Sequence, residues 1–261
     1  MGTDFSTHRT NEIIGNLKSI KLLKPYDVMI TGVTGAGKST TINALLNQAQ
    51  AKVGVGVDPE TKEVKDYELG HFIRFWDTPG LGDGVEQDKE NITRINELIN
   101  RDYLPNGDEY KRTSYTHYPY SQHLIKQGFG SLTKHLDFVL VIVEGSNKDM
   151  GMTYKLLNEV LLPKIQADRI LVAINQADVA MKGRGWNSQD NCPNDELLSF
   201  LEEQSTSIQR RIKETSNLNI PRPLYYSAEY GYNVDKLLDS IIDNMQSVEE
   251  AVNKRFAEIF N

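Results

Sequence analysis

The chain has 261 residues, with 29 Lys+Arg against 36 Asp+Glu and a formal charge of −7. That length supports one large domain or two small ones, and 25% charged with 39% hydrophobic residues excludes a disordered chain. The longest apolar run, Phe138–Val143, is far short of the roughly twenty residues a bilayer span requires, and the single cysteine, Cys192, excludes a disulfide framework or a multi-cysteine zinc site.

The acidic balance argues against nucleic-acid binding over the whole surface. The opening MGTDFSTHRT lacks the charged-then-apolar pattern of a secretory signal, so a cytoplasmic location is expected. In residues 11–24, Ile13, Ile14, Leu17 and Ile20 stand at helical spacing before Pro25, which predicts an N-terminal helical extension over 1–24. Tyr26–Thr31 reads as a buried strand. GVTGAGKS, residues 32–39, is a glycine-rich turn that runs into a helix through Leu46. Residues 49–63 read as loop, and 64–69 and 71–76 as two short strands. DTPGLGDG, from Asp77 to Gly84, is a second glycine-rich loop, and Gly82, Asp83 and Gly84 predict that it is mobile. A helix follows over about 88–100.

Val139–Val143 and Ile170–Ile174 are apolar throughout, as strands covered on both faces are. Helices are expected over 152–162 and 195–215, with a last short strand at Leu224–Tyr226. From Val234 to Phe260, Leu237, Leu238, Ile241, Ile242, Met245, Val248, Val252, Phe256 and Ile259 form a long amphipathic stripe. Strands alternate with helices. The expected fold is therefore α/β, three layers around a mostly parallel sheet of about six strands. Residues 101–135 and 180–194 break the alternation and are read as insertions.

GVTGAGKS matches G-x-x-x-x-G-K-[ST] between a strand and a helix. Glycine lets backbone N–H groups turn inward around phosphate oxygens, and the helix beginning at Lys38 adds the positive end of its dipole. Lys38 supplies a point charge to β- and γ-phosphates, and Ser39 a hydroxyl to Mg²⁺. Asn175-Gln176-Ala177-Asp178 follows directly on the apolar strand at 170–174. An Asp there accepts from guanine N1–H and N2–H₂ together, a pairing adenine does not offer. Asn175 would fix the loop and meet the base edge. Ser227-Ala228-Glu229 follows the last strand, where the Ala228 amide would reach guanine O6.

In this order, GVTGAGKS, Thr61, DTPG, NQAD and SAE resemble the five motifs of translation-factor-related GTPases, above all the Era-like branch and its small bacterial, often prophage-encoded members labelled ribosome-binding. The resemblance covers about residues 25–245. It implies a P-loop G domain over 25–261, with the two insertions, that binds GTP and GDP with Mg²⁺ and hydrolyses GTP slowly. It implies that Lys38 and the amides of Gly35, Ala36 and Gly37 hold the β-phosphate and that Thr40 reaches the α-phosphate. Ser39 and Thr61 would bind Mg²⁺ directly, and Asp77 through water. Thr61 and the Gly80 amide would be the switch residues that sense the γ-phosphate. Asn175, Asp178, Ser227 and Ala228 would hold the base.

The sequence departs from that pattern at three places. Gln176 stands where the family usually has Lys. Leu81 follows DTPG, where Ras-like members carry the Gln that orients water, so the activating group is not named by the motif. Gly35 stands where potassium-activated relatives have Asn. Residues 101–135 carry a net +2 and five of the twelve tyrosines. That composition suits a packed insertion, a protein effector site, or stacking on unpaired RNA bases, including ribosomal RNA. The C-terminal helix beyond Met245 is a second candidate effector or self-association surface. Two functions remain open: a nucleotide-controlled switch, and a module that pairs G domains into a GTP-dependent homodimer with hydrolysis incidental.

Overall fold

The computed structural model describes residues 26–48, 63–69, 73–101, 136–146 and 150–244. The N-terminal helix at 11–24, Thr61, residues 102–135 and the helix beyond residue 244 lie outside the described residues.

The sheet has six strands in the order β2-β3-β1-β4-β5-β8. They are β1 (Tyr26–Gly32), β2 (Lys65–Leu69), β3 (Ile73–Asp77), β4 (Phe138–Glu144), β5 (Ile170–Asn175) and β8 (Leu224–Tyr225). β1 runs parallel to both β3 and β4, and β5 parallel to β4 and β8. Among the described strands of this sheet only β2 is antiparallel, against β3 at the sheet edge. This is the expected α/β architecture with a mostly parallel sheet.

Alternation along the buried strands divides the core into two layers. Val28 and Ile30, Leu140 and Ile142, and Leu171 and Ala173 face one side; Met29, Val139 and Val141, and Val172 and Ile174 face the other. The first layer is covered by α1 (Lys38–Gln48) through Ile42 and Leu45, and by the helix α5 at 234–244 through Leu237, Leu238, Ile241 and Ile242. The second is covered by α2 (Val85–Asn100), by α3 (Gly151–Lys155) with its continuation Leu156–Leu161, and by α4 (Asp195–Ser216). Ile95, Leu98, Leu157, Val160, Ile208 and Ile212 supply those contacts. Period-2 strands between amphipathic helices on both faces produce the three layers.

Two segments differ in detail from the sequence reading. The helix expected over 152–162 changes winding at Leu156 and continues as a π-turn, with Leu162 N–H donating to the Leu157 carbonyl at 2.9 Å. Residues 180–194 are turns leading to a small hairpin, β6 (Trp186–Asn187) and β7 (Cys192–Pro193). Trp186 packs there on Tyr230 and Tyr232, with ring centroids 5.4 and 5.6 Å away. The segment thus buttresses the loop that follows β8.

At the end of the sheet opposite the glycine-rich loops, Asp27 accepts from Arg74 Nε at 2.6 Å and from Trp76 Nε1 at 2.7 Å. Asp27 is fully buried and Arg74 is 6% exposed. The pair joins β1 to β3 from within the core.

Candidate nucleotide site

The C-terminal ends of β1, β3, β5 and β8 bring four loops together. An open parallel sheet places its ligand crevice at that edge. The first loop leaves β1 at Gly32 and enters α1 at Lys38. Gly37 has φ 83, and a Cβ there would collide with the Asn175 carboxamide. The left-handed backbone and the close approach both require glycine. Lys38 Nζ donates to the Val33 carbonyl at 2.9 Å and approaches Gly32 O at 3.5 Å. Burial pulls its ammonium below the ordinary lysine range, while Asp77 and Asp83 pull the other way. The Ala36 amide turns back on Val33 O at 3.3 Å, and Thr40 stands exposed in the first turn of α1.

Ser39 Oγ donates to Asp77 Oδ2 at 2.7 Å. A hydroxyl and a carboxylate meeting at the head of β3 form a hard-oxygen donor pair of the kind Mg²⁺ takes beside phosphate oxygens. The residues present therefore fit the implied metal. Thr61 lies outside the described residues.

Asn175 joins two loops. Its Nδ2 donates to the Ala36 carbonyl at 3.0 Å, and its Oδ1 accepts from the Ala228 amide at 3.0 Å. The Ala228 amide is thus already engaged, and a base carbonyl would share that hydrogen. Gln176 has φ 61 and donates from Nε2 to the Gly35 carbonyl at 2.9 Å. Asp178 is 8% exposed, and its Oδ1 is buried with no hydrogen-bond partner among the described residues. Leaving a buried acceptor unpaired costs on the order of 1–3 kcal/mol, which a ligand carrying N–H donors recovers. Beneath it, Ala177, Ala180, Leu197 and Leu201 form a small apolar cluster that holds the loop. Ser227 is buried, and its amide N–H is committed to the Tyr232 carbonyl at 3.0 Å.

The loop after β3 is tied rather than loose, against the mobility expected from Gly82, Asp83 and Gly84. The Gly82 amide donates to Asp88 Oδ1 at 2.7 Å, and Asn91 Nδ2 donates to Gly80 O at 2.7 Å. Thr34 N–H donates to Leu81 O at 2.8 Å, and Thr34 Oγ1 to Asp83 Oδ2 at 2.6 Å. Leu81 is 1% exposed, packed with Met29, Trp76 and Ile95. Thr34, Asp83, Asp88 and Asn91 tie the loops of the candidate site together, and the motifs did not single them out. The acidic first turn of α2 was visible in the sequence, but nothing distinguished Asp88 from Glu86.

Among known proteins, the chain is 34% identical over 103 residues to the tRNA modification GTPase MnmE of Mycoplasma genitalium, covering 35% of this chain and 23% of that one. It is 40% identical over 63 residues to the Interferon-gamma-inducible GTPase 10 of Mus musculus, covering 22% and 15%. The chain thus spans less than a quarter of the length of either curated relative. Toc33 of Arabidopsis thaliana, solved in complex with GDP and Mg²⁺, superposes with a TM-score of 0.56 at 17% identity, covering 93% of this chain and 92% of that one. That likeness concerns the fold. The model of one family matches residues 27–176, from β1 to the loop after β5, and on that match the chain belongs to the 50S ribosome-binding GTPase family.

Proposed function

We propose that this chain binds GTP and GDP with Mg²⁺ and hydrolyses GTP to GDP and phosphate, as a switch whose two phosphate loops respond to the γ-phosphate. The observation that carries the reading is Asp178. One oxygen of its buried carboxylate has no hydrogen-bond partner among the described residues, on a loop that Asn175 fastens to both the phosphate loop and Ala228. Guanine offers two adjacent N–H donors to such a group, and adenine does not.

In this reading Lys38 leaves the Val33 carbonyl for the phosphates, and the amides of Gly35, Ala36 and Gly37 close round them. Ser39 and Asp77 would hold Mg²⁺, with Thr61 joining in the GTP state. When bound, the ion supplies positive charge against the β- and γ-oxygens. The Gly80 amide and Thr61 sense the γ-phosphate, and its loss releases both loops. The Era-like character and a cytoplasmic place belong to the same proposal. A ribosomal or RNA task is supported by the description of the matching family and by the tRNA-modifying relative. Competition binding tests the core of it: GTP and GDP should displace a labelled guanine nucleotide at concentrations where ATP does not. Equal competition by ATP would refute it.

A second reading is a GTP-dependent homodimer that pairs G domains across the nucleotide. Among the described residues the exposed large hydrophobic side chains are Val85, Val179 and Tyr230. They follow β3, β5 and β8, on the edge where the site lies. A Toc33 structure with a TM-score of 0.57 comes from work describing dimerisation as important for that protein's GTPase activity. Sedimentation with GDP and with a non-hydrolysable GTP analogue separates the readings: a dimer with the analogue alone supports pairing, and a monomer with both opposes it.

A further inference from the structure

The motif leaves hydrolysis without a water-orienting group, because Leu81 is buried in the apolar layer under α2. A polar side chain at position 81 would have to leave that layer to meet a phosphate. Two residues further on, Asp83 is exposed and is gripped by Thr34, whose Oγ1 donates to Asp83 Oδ2 at 2.6 Å. Thr34 is itself fixed against the second loop. Its amide donates to Leu81 O at 2.8 Å, and a Cβ built on Gly80 would lie 2.6 Å from Thr34 Cα. Gly80 is glycine because Thr34 occupies that space.

The loop that carries Asp83 is held from below by Asp88 on the Gly82 amide and by Asn91 on Gly80 O. Burial disfavours the protonated form of Lys38, and against it the charge of Asp77 and, less strongly, that of Asp83 favour that form. Asp83 is therefore a carboxylate on a tethered loop, held against the phosphate loop at Thr34. Lys38 offsets the repulsion that a carboxylate would otherwise feel there.

We infer that Asp83, positioned by Thr34, orients the water that attacks the γ-phosphorus of GTP. The inference rests on the proposed GTP hydrolysis. The water oxygen bonds to the γ-phosphorus as the bond to the β–γ bridging oxygen breaks. The bridging oxygen keeps the electron pair and leaves with GDP. The water proton passes to the Asp83 carboxylate and from there to the released phosphate. Positioned acid–base groups contribute about 10²–10⁴-fold.

The test is single-turnover GTP hydrolysis on the full chain, with GTP affinity measured separately on each variant. Asp83→Asn and Asp83→Ala should each slow the chemical step by about a hundredfold or more, with GTP affinity within about threefold of the parent. Asp83→Glu should recover part of the rate, and Thr34→Ser should match the parent where Thr34→Val slows. Parental hydrolysis by Asp83→Ala overturns the inference. So does a loss of rate that Asp83→Glu fails to rescue and that tracks a fall in affinity or melting temperature, since that is a structural role. A parent chain that binds no GTP, or never hydrolyses it, instead overturns the reading on which the inference stands.

Discussion

The Gln176 carboxamide donates to the Gly35 carbonyl across 2.9 Å, so the base loop holds the phosphate loop at the position where the family usually carries a lysine. The tie is neutral and local, and the left-handed backbone at Gln176, φ 61, aims the side chain across the cleft. A neutral hydrogen bond contributes about 1 kcal/mol, roughly fivefold in affinity. Gln176→Ala should therefore weaken GDP binding about fivefold, and Gln176→Lys should stay near the parent. Titration with a fluorescent GDP checks both, and an unchanged Gln176→Ala would show that the tie is irrelevant to binding.

At the phosphate end, Lys38→Ala should abolish tight GTP binding, because nothing else at the head of α1 replaces a buried ammonium. Ser39→Asn should keep GDP but lose the Mg²⁺ dependence of GTP binding, since the hydroxyl beside Asp77 is the proposed metal ligand. Calorimetry with and without Mg²⁺ distinguishes them. Parental GTP affinity in Lys38→Ala would mean that the loop is no phosphate site.

Leu81→Gln separates a missing side chain from a buried one. The residue is 1% exposed, so Gln would place an amide in the apolar layer at a cost of about 1–3 kcal/mol. The melting temperature should fall and the slow hydrolysis rate should stay within a few-fold of the parent, in sodium and in potassium alike. A hundredfold acceleration in this variant would show that Leu81 was the missing part. A large potassium effect would contradict the reading of Gly35, which has no side-chain oxygen to offer.

Far from the site, Arg74→Ala would remove the guanidinium that pairs with the buried Asp27 carboxylate. Breaking one side of a buried pair costs about 3–5 kcal/mol. Urea unfolding should show a loss of that order, while the ratio of GTP to ATP affinity in the folded chain stays unchanged. A loss under about 1 kcal/mol would mean that the remaining partners of Asp27, Trp76 among them, satisfy its carboxylate.

The parts of the fold that were legible share one property: they repeat. The apolar strands around Val139–Val143 and Ile170–Ile174, and the stripe through Leu237 and Ile241, show their faces by period, and the sheet followed from them. Lys38, Asn175 and Asp178 were legible as candidates because a backbone-cradled phosphate and a bidentate base contact would require those residue types at those places, and the structure brings their loops to one edge of the sheet. The β6–β7 hairpin was not legible, since two-residue strands have no period to read. The grip of Thr34 on Asp83 joins residues 49 positions apart, and no local pattern encodes such a contact. The second loop read as mobile because glycine content was visible and the carboxylate of Asp88, one helical turn on, was not visibly its anchor.

The measurement that tests the account most directly is nucleotide choice by Asp178→Asn. In the proposed reading the parent carboxylate accepts two guanine N–H groups; in the variant, the amide would donate to the 2-carbonyl of xanthine while its oxygen would still accept from N1–H. Calorimetric titration of both proteins with Mg²⁺-GTP and Mg²⁺-xanthosine triphosphate should show the parent preferring GTP. The variant should lose about 1.5–3 kcal/mol of GTP binding and prefer the xanthine nucleotide. A variant that still binds GTP as the parent does, and rejects xanthosine triphosphate, would contradict the assignment of Asp178 to the base and with it the guanine-nucleotide reading of this site.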